Sequence, residues 1–259
     1  MHIVAEVTYN CPAKCSFCPL KKETVVRTMP LEKFKLALEL FSTYFKGHRK
    51  LLTISGGEPS TLKNLKHYVD VARSMGYKTT VVTNGWCPEK ILEAQPDFVQ
   101  ISLDYIGSKH DTVRGLNLWH KILKLLEYIK EGKLKGFIRF TLMNDNLDNL
   151  ITLRKMLDSM NLKDLKIFAM PVRGNPSKSP SREDILRAME YAVLPSRCPA
   201  GKGMFVITPD FRVLDCLFHR QELGKLEKFT IAEIEQIVEA GKKIDKYPCG
   251  EPYWWAKER

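Results

Sequence analysis

The chain has 259 residues, 44% hydrophobic and 27% charged, enough to bury one large core, which excludes disordered and fibrous classes. Lys and Arg number 41 against 30 Asp and Glu, a net charge of +11, and seven cysteines make an odd set that poorly fits a secreted disulfide framework. The start MHIVAEVTYNC carries no signal peptide and no apolar run is long enough to span a bilayer, so a cytosolic, membrane-free protein with reduced thiols or metal ligands is expected.

Short β-branched runs alternate with helix-period segments along the first two thirds of the chain, which predicts an α/β fold with parallel strands. The expected strands are 3–8, 51–55, 79–83, 98–103, 137–142 and 165–170. The intervening helices start near Pro30 and then cover 65–75, 89–94, 119–130 and 150–160. Six strand–helix steps are too few for an eight-stranded barrel but suit an open, partial (β/α)6 barrel. Right-handed crossovers would gather the loops that follow the strands at one mouth. After Met170 the segment 171–184 is rich in Pro, Ser and charge and predicts an exposed linker. A helix near 185–191, a hairpin over 204–216 turning at Pro209-Asp210 and a helix over 231–244 lead to the tail YPCGEPYWW. The expected division is a core at 1–175 and an extension at 176–259.

The chemistry concentrates at the mouth. Cys11, Cys15 and Cys18 lie within eight residues of the loop leaving the first strand, close enough for three thiolates to converge on one inorganic cluster. A structural zinc site wants four protein ligands and no fourth cysteine is near. A 4Fe-4S cluster held by three cysteines keeps one iron open, and unligated thiols are the plain alternative. Gly56-Gly57-Glu58-Pro59 follows the second strand, Thr83-Asn84-Gly85 ends the third, and Ser102 and Asp104 end the fourth. Arg114 follows in HDTVRG, either a carboxylate partner or a surface arginine, and Met170 ends the sixth strand.

This set resembles the radical S-adenosylmethionine (SAM) superfamily, whose signature CxxxCxφC has its aromatic position at Phe17. The resemblance covers about residues 1–170. It implies that Cys11, Cys15 and Cys18 hold a 4Fe-4S cluster whose open iron takes SAM. It further implies that reductive cleavage gives a 5′-deoxyadenosyl radical, which abstracts hydrogen from a substrate. Phe17, the GGEP residues Gly56, Gly57, Glu58 and Pro59, and Asn84, Ser102, Asp104, Arg114 and Met170 would then surround SAM. For Met170 a core position is the competing reading. A reducing partner such as a ferredoxin or flavodoxin is implied as well.

Cys198, Cys216 and Cys249 lie beyond the sixth strand, and TPDFRVLDC resembles the start of the SPASM and twitch extensions, which bind auxiliary 4Fe-4S clusters. The pattern wants Gly at the position of Phe211, and there are too few cysteines for two auxiliary clusters, so a single-cluster, twitch-like extension is the better match. An open iron or a non-cysteine ligand such as His219, Asp215 or Asp245 would complete it, and unligated cysteines are the alternative. The auxiliary cluster would accept an electron or anchor the substrate. Cys87 is expected at the barrel mouth or in the core, His219 as a structural residue or an acid–base group, and Trp254-Trp255 as packing.

The expected function is therefore a radical SAM oxidoreductase acting on a small molecule or a peptide. The chain begins almost at its first strand, with no peptide-recognition domain ahead of it, which tilts the expectation toward a small or separately delivered substrate. The positive charge is spread over helical faces, so nucleic acid is a minor candidate partner, through a radical SAM enzyme acting on RNA or a zinc-containing nucleic-acid-binding protein.

Overall fold

The computed structural model describes residues 1–23, 25, 27–173 and 175–244. Cys249, Asp245 and Trp254-Trp255 lie outside the described residues. The six expected strands are all present: β1 (His2–Thr8), β2 (Leu51–Gly56), β3 (Lys78–Thr83), β4 (Phe98–Ser102), β5 (Gly136–Leu142) and β6 (Ile167–Pro171). They pair in parallel in the order β6-β5-β4-β3-β2-β1. The connecting helices are α1 (Leu31–Tyr44), α2 (Leu65–Ser74), α3 (Pro88–Ala94), α4 (Ser108–Arg114), α5 (Trp119–Lys130) and α6 (Leu147–Ser159). All but α4, whose buried residues are His110 and Arg114, bury apolar side chains; α5, for example, buries Ile122, Leu125 and Leu126. The resulting core runs without a break from Ile3 to Ile244.

β1 does not meet β6 to close a barrel. Its second edge pairs in parallel with β7 (Met204–Ile207), which is reached through α7 (Arg182–Ala188). β8 (Arg212–Leu214) and β9 (Glu222–Lys225) then add antiparallel, and α8 (Ile231–Lys242) packs on β9. The expected hairpin is thus present, and one nine-stranded sheet passes through both segments of the chain. At the β7–β8 turn Phe211 has φ 65°, the left-handed backbone that glycine adopts without steric cost. Phe211 is nonetheless buried, edge-on to Phe229 and beneath the Lys33 ammonium. A packed aromatic therefore takes the conformation for which the pattern uses glycine.

Candidate active site

The loop after β2 is locked to the end of β1. Gly56 has φ +123°, and a Cβ on Gly56 or Gly57 would run into the carbonyl oxygens of Thr8 and Asn10. Without side chains, Gly57 N donates to Thr8 O at 2.6 Å and Glu58 N to Asn10 O at 2.8 Å. The close approach these glycines permit is to the backbone that leads directly into Cys11. Pro59 is buried and opens the 3-10 turn that follows.

Glu58 carries the connection onward. Its buried carboxylate accepts from Ser60 N (3.0 Å), Thr83 Oγ1 (2.8 Å) and Asn84 N (2.7 Å), tying the loop after β2 to the loop after β3. Burial pushes this carboxyl above its ordinary range, and the same hydrogen bonds oppose that shift. Asn84, so anchored, accepts from Trp86 N with its side-chain oxygen and turns its amide toward Cys11 Sγ at 3.7 Å.

The cysteine loop is held from its other side by α4. Lys14 N donates to Arg114 O at 2.9 Å, and the Arg114 guanidinium, buried, engages Asp104 and lies 5.9 Å above the Phe17 ring. Asp104 also accepts from Thr141 N at 2.8 Å. Burial pushes the Cys11 thiol up to about 11, and the neighbouring Cys15 and Cys18 thiols add to the rise. Burial raises Cys15 too, while the positive charge of Arg114 pulls it back. Among the described residues no three His, Cys, Asp or Glu side chains are drawn into a metal-ligating group. The donor chemistry nevertheless fits an iron–sulfur cluster: three thiols in one another's field, an amide donor on one and a guanidinium beside another.

A single cleft opens between this loop and the far half of the sheet. Cys15, Phe17, Cys18, Ser102, Asp104, Arg114 and Met170 all line it, although the sequence separates them by as many as 155 positions. Met170 is also nearly buried, so its two readings meet in one position. Cys11, Gly56, Gly57, Glu58, Pro59 and Asn84 are not on the lining. Sequence reasoning missed Arg139, Thr141 and Arg173, which face the same space. The signal for the first two was present, since they alternate with buried Ile138, Phe140 and Leu142 along β5.

Next to Arg114, on the same short helix, His110 is fully buried and neither ring nitrogen meets a hydrogen-bond partner among the described residues. Burial, then the charge of Arg114, holds its pKa down to about 4 against the opposing carboxylates of Asp104 and Asp111.

The extension contributes a second thiol neighbourhood. Gly201 N donates to Asp215 O at 3.1 Å, which sets the loop after Cys198 against the residue preceding Cys216. Asp215 is buried; it holds His219 Nδ1 at 2.6 Å with one oxygen and accepts from Gln221 N at 2.9 Å with the other. Arg220, also at positive φ, reaches back to β1 and grips the fully buried Glu6 with two bonds of 2.7 and 3.1 Å. Tyr9, two residues before Cys11, donates to the same carboxylate at 3.0 Å. Nothing local in the sequence announces this pair, which spans 214 positions. Cys87, off the cleft, stands at the N-cap position of α3 in the loop after β3, lines a separate recess with Trp86, Glu89 and Lys121, and directs its thiol to Glu89 at 3.7 Å.

A family model described as the Radical SAM superfamily matches residues 5–157. The chain belongs to the radical SAM superfamily. Fe-coproporphyrin III synthase of Methanosarcina barkeri is 23% identical over 199 residues, covering 74% of this chain and 49% of that protein. PqqA peptide cyclase of Granulibacter bethesdensis is 24% identical over 228 residues, covering 82% and 60% respectively. The radical SAM chain thus spans only about half to three fifths of these curated relatives. Streptococcus suis SuiB bound to S-adenosylmethionine shares the fold, with a TM-score of 0.71 at 16% identity over 99% of this chain and 67% of SuiB. SuiB bound to its precursor peptide SuiA gives a TM-score of 0.73 at 15% identity, over 98% and 65%. No helix among the described residues is long and apolar enough to cross a membrane.

Proposed function

We propose that this chain is a radical SAM oxidoreductase in which Cys11, Cys15 and Cys18 hold a 4Fe-4S cluster beside the cleft that Cys15 and Cys18 line. The observation that carries the reading is the cleft itself, where the cysteine loop faces Ser102, Asp104, Arg114 and Met170 across a shared space. When bound, the cluster and SAM together supply one-electron chemistry that ends in hydrogen abstraction from a substrate. The chain's own residues orient and enclose. Glu58 and Asn84 fix the position of Cys11, Arg114 biases Cys15 toward thiolate and holds the loop through Lys14, and Ser102 and Met170 form the wall against which SAM is seated.

Cys198 and Cys216, with Cys249, are proposed to hold an auxiliary 4Fe-4S cluster in a twitch-like extension, accepting an electron or anchoring the substrate. The hydrogen bond between the Cys198 and Cys216 loops supports this. The substrate is a peptide or a small molecule. The peptide complex of SuiB and the name of the PqqA peptide cyclase favour the former. A small reducing protein would supply the electron.

The deciding assay is dithionite-dependent formation of 5′-deoxyadenosine by anaerobically reconstituted protein. Cys15→Ala is expected to abolish it, and persistence in that variant would refute the assignment. Iron analysis separates the two sites: about eight irons per chain supports the auxiliary cluster, and about four removes it.

A further inference from the structure

The polar groups at β1 that the cleft does not use converge on one guanidinium of the extension. Arg220 grips the fully buried Glu6, and its Nη2 also reaches Glu23 Oε1 at 3.1 Å and the Tyr9 hydroxyl at 3.3 Å. Tyr9 stands just before the cysteine triplet and Glu23 just after it. Glu23 ends the 3-10 turn Pro19–Lys22, which starts directly after Cys18, and its N–H donates to Leu20 O at 2.9 Å. Tyr9 N donates to Arg27 O at 2.8 Å and closes a wider loop; Arg220 draws that loop in to the segment 9–23, which holds all three thiols. Arg220 is itself held. Its backbone takes φ 59°, its N–H donates to Cys216 O at 3.1 Å, and Asp215 ties the same turn at His219 and Gln221.

We propose that Arg220 is a positioning residue for the cysteine loop: from the extension it pins both ends of segment 9–23 and so fixes where Cys11, Cys15 and Cys18 stand. The consequence for SAM cleavage rests on the radical SAM reading, whereas the clamp on the thiols does not. A guanidinium is a planar fork of five donors and serves carboxyl groups on two sides at once. The ammonium of a lysine is a point charge and reproduces this only in part. Holding both ends of a flexible loop removes the conformers in which its thiols stand apart.

Two measurements on the full chain test this. In reduced, metal-free protein, alkylation of each cysteine by iodoacetamide is followed by peptide mass spectrometry, with Cys87, off the loop, as internal reference. Arg220→Gln is expected to speed Cys11, Cys15 and Cys18 roughly tenfold or more relative to Cys87, as a local opening would. Arg220→Lys should restore part of the protection. Glu23→Ala leaves the pair with Glu6 in place; it should speed Cys18 more than Cys11, and it serves if Arg220→Gln does not fold. Leu157→Ala, in the core under α6, should lower the melting temperature and leave these ratios unchanged. In anaerobically reconstituted protein, Arg220→Gln should change the electron paramagnetic resonance line shape of the reduced cluster with SAM. It should also slow 5′-deoxyadenosine formation about tenfold or more, with partial recovery in Arg220→Lys. Wild-type ratios in both Arg220→Gln and Glu23→Ala, or ratios that move as far in Leu157→Ala, would overturn the proposal. So would a loosened loop whose spectrum and SAM cleavage match the wild type's. Loosening by Arg220→Gln in a protein whose wild type cleaves no SAM would support the clamp and count against the radical SAM reading alone.

Discussion

His110 offers a quantitative test of how α4 is built. Its ring is fully buried and neutral, with a pKa near 4 in the folded chain, whereas in the unfolded chain it returns to its ordinary value of 6.5. The unfolded state therefore binds a proton first as pH falls. The stability His110 preserves is present above pH 6.5 and is lost as pH falls through about 4. From those two values the loss is about 2 kcal/mol at pH 5 and about 3 kcal/mol at pH 4. His110→Leu keeps an apolar side chain at the site and removes the titration together with two unpartnered nitrogens. Urea unfolding of both proteins between pH 7.5 and 5, each prepared without metal, should show the difference in stability moving by about 2 kcal/mol in favour of the variant. Other acids titrate alike in the two proteins and cancel. Parallel pH profiles would mean that His110 is solvated or paired, and the reasoning would fail.

Three further outcomes follow from the geometry. Gly57→Ala places a Cβ on the carbonyl of Asn10 and should displace the strand end that leads into Cys11, lowering stability by about 2 kcal/mol. Melting temperature and iron uptake report it, and unchanged iron uptake would count against the coupling of the two loops. Arg220→Ala leaves the buried Glu6 without its cationic partner, a loss of about 3 kcal/mol in urea unfolding, of which Glu6→Gln in the same chain should recover part. Phe211→Gly relieves a left-handed backbone, roughly 1 kcal/mol, but forfeits a buried aromatic, roughly 3 kcal/mol, so a net loss near 2 kcal/mol is expected. A more stable variant would show that the ring contributes little.

Much of this architecture is legible in the sequence because the six parallel strands are short β-branched runs set between helix-period segments. α5 begins at Trp119 and stops at Lys130, as its period and Gly132 predict. α6 starts at Leu147, three residues before the expected Leu150, because Asn146 reads as a turn residue yet bonds back to Met143 and opens the helix. α4 and β9 went unread: SKHDTVR is too polar and ELGK too short and charged to signal an element without their neighbours. In the site, Cys15, Cys18, Ser102, Asp104 and Arg114 were visible as polar or reactive residues at the end of β4 or in the segments that follow β1 and β4. Gly56 and Gly57 announced a close approach, but only the fold shows that the approach is to Thr8 and Asn10. The pairing of β1 with β7 and of Glu6 with Arg220 depends on residues some 200 positions apart, and no local pattern encodes either.

The place of β1 in the sheet has a consequence for the order of assembly. It leaves the ribosome before the other strands of its sheet, and β2 can cover one flank within some fifty residues, but the other flank waits for Met204–Ile207. Throughout that interval the strand that leads into the cysteine loop keeps a bare row of amides and carbonyls along Ile3 to Ala5, the kind of edge on which chains join wrongly. A shortened form that stops before Met204 would carry that edge permanently and should self-associate, even with all six βα steps intact.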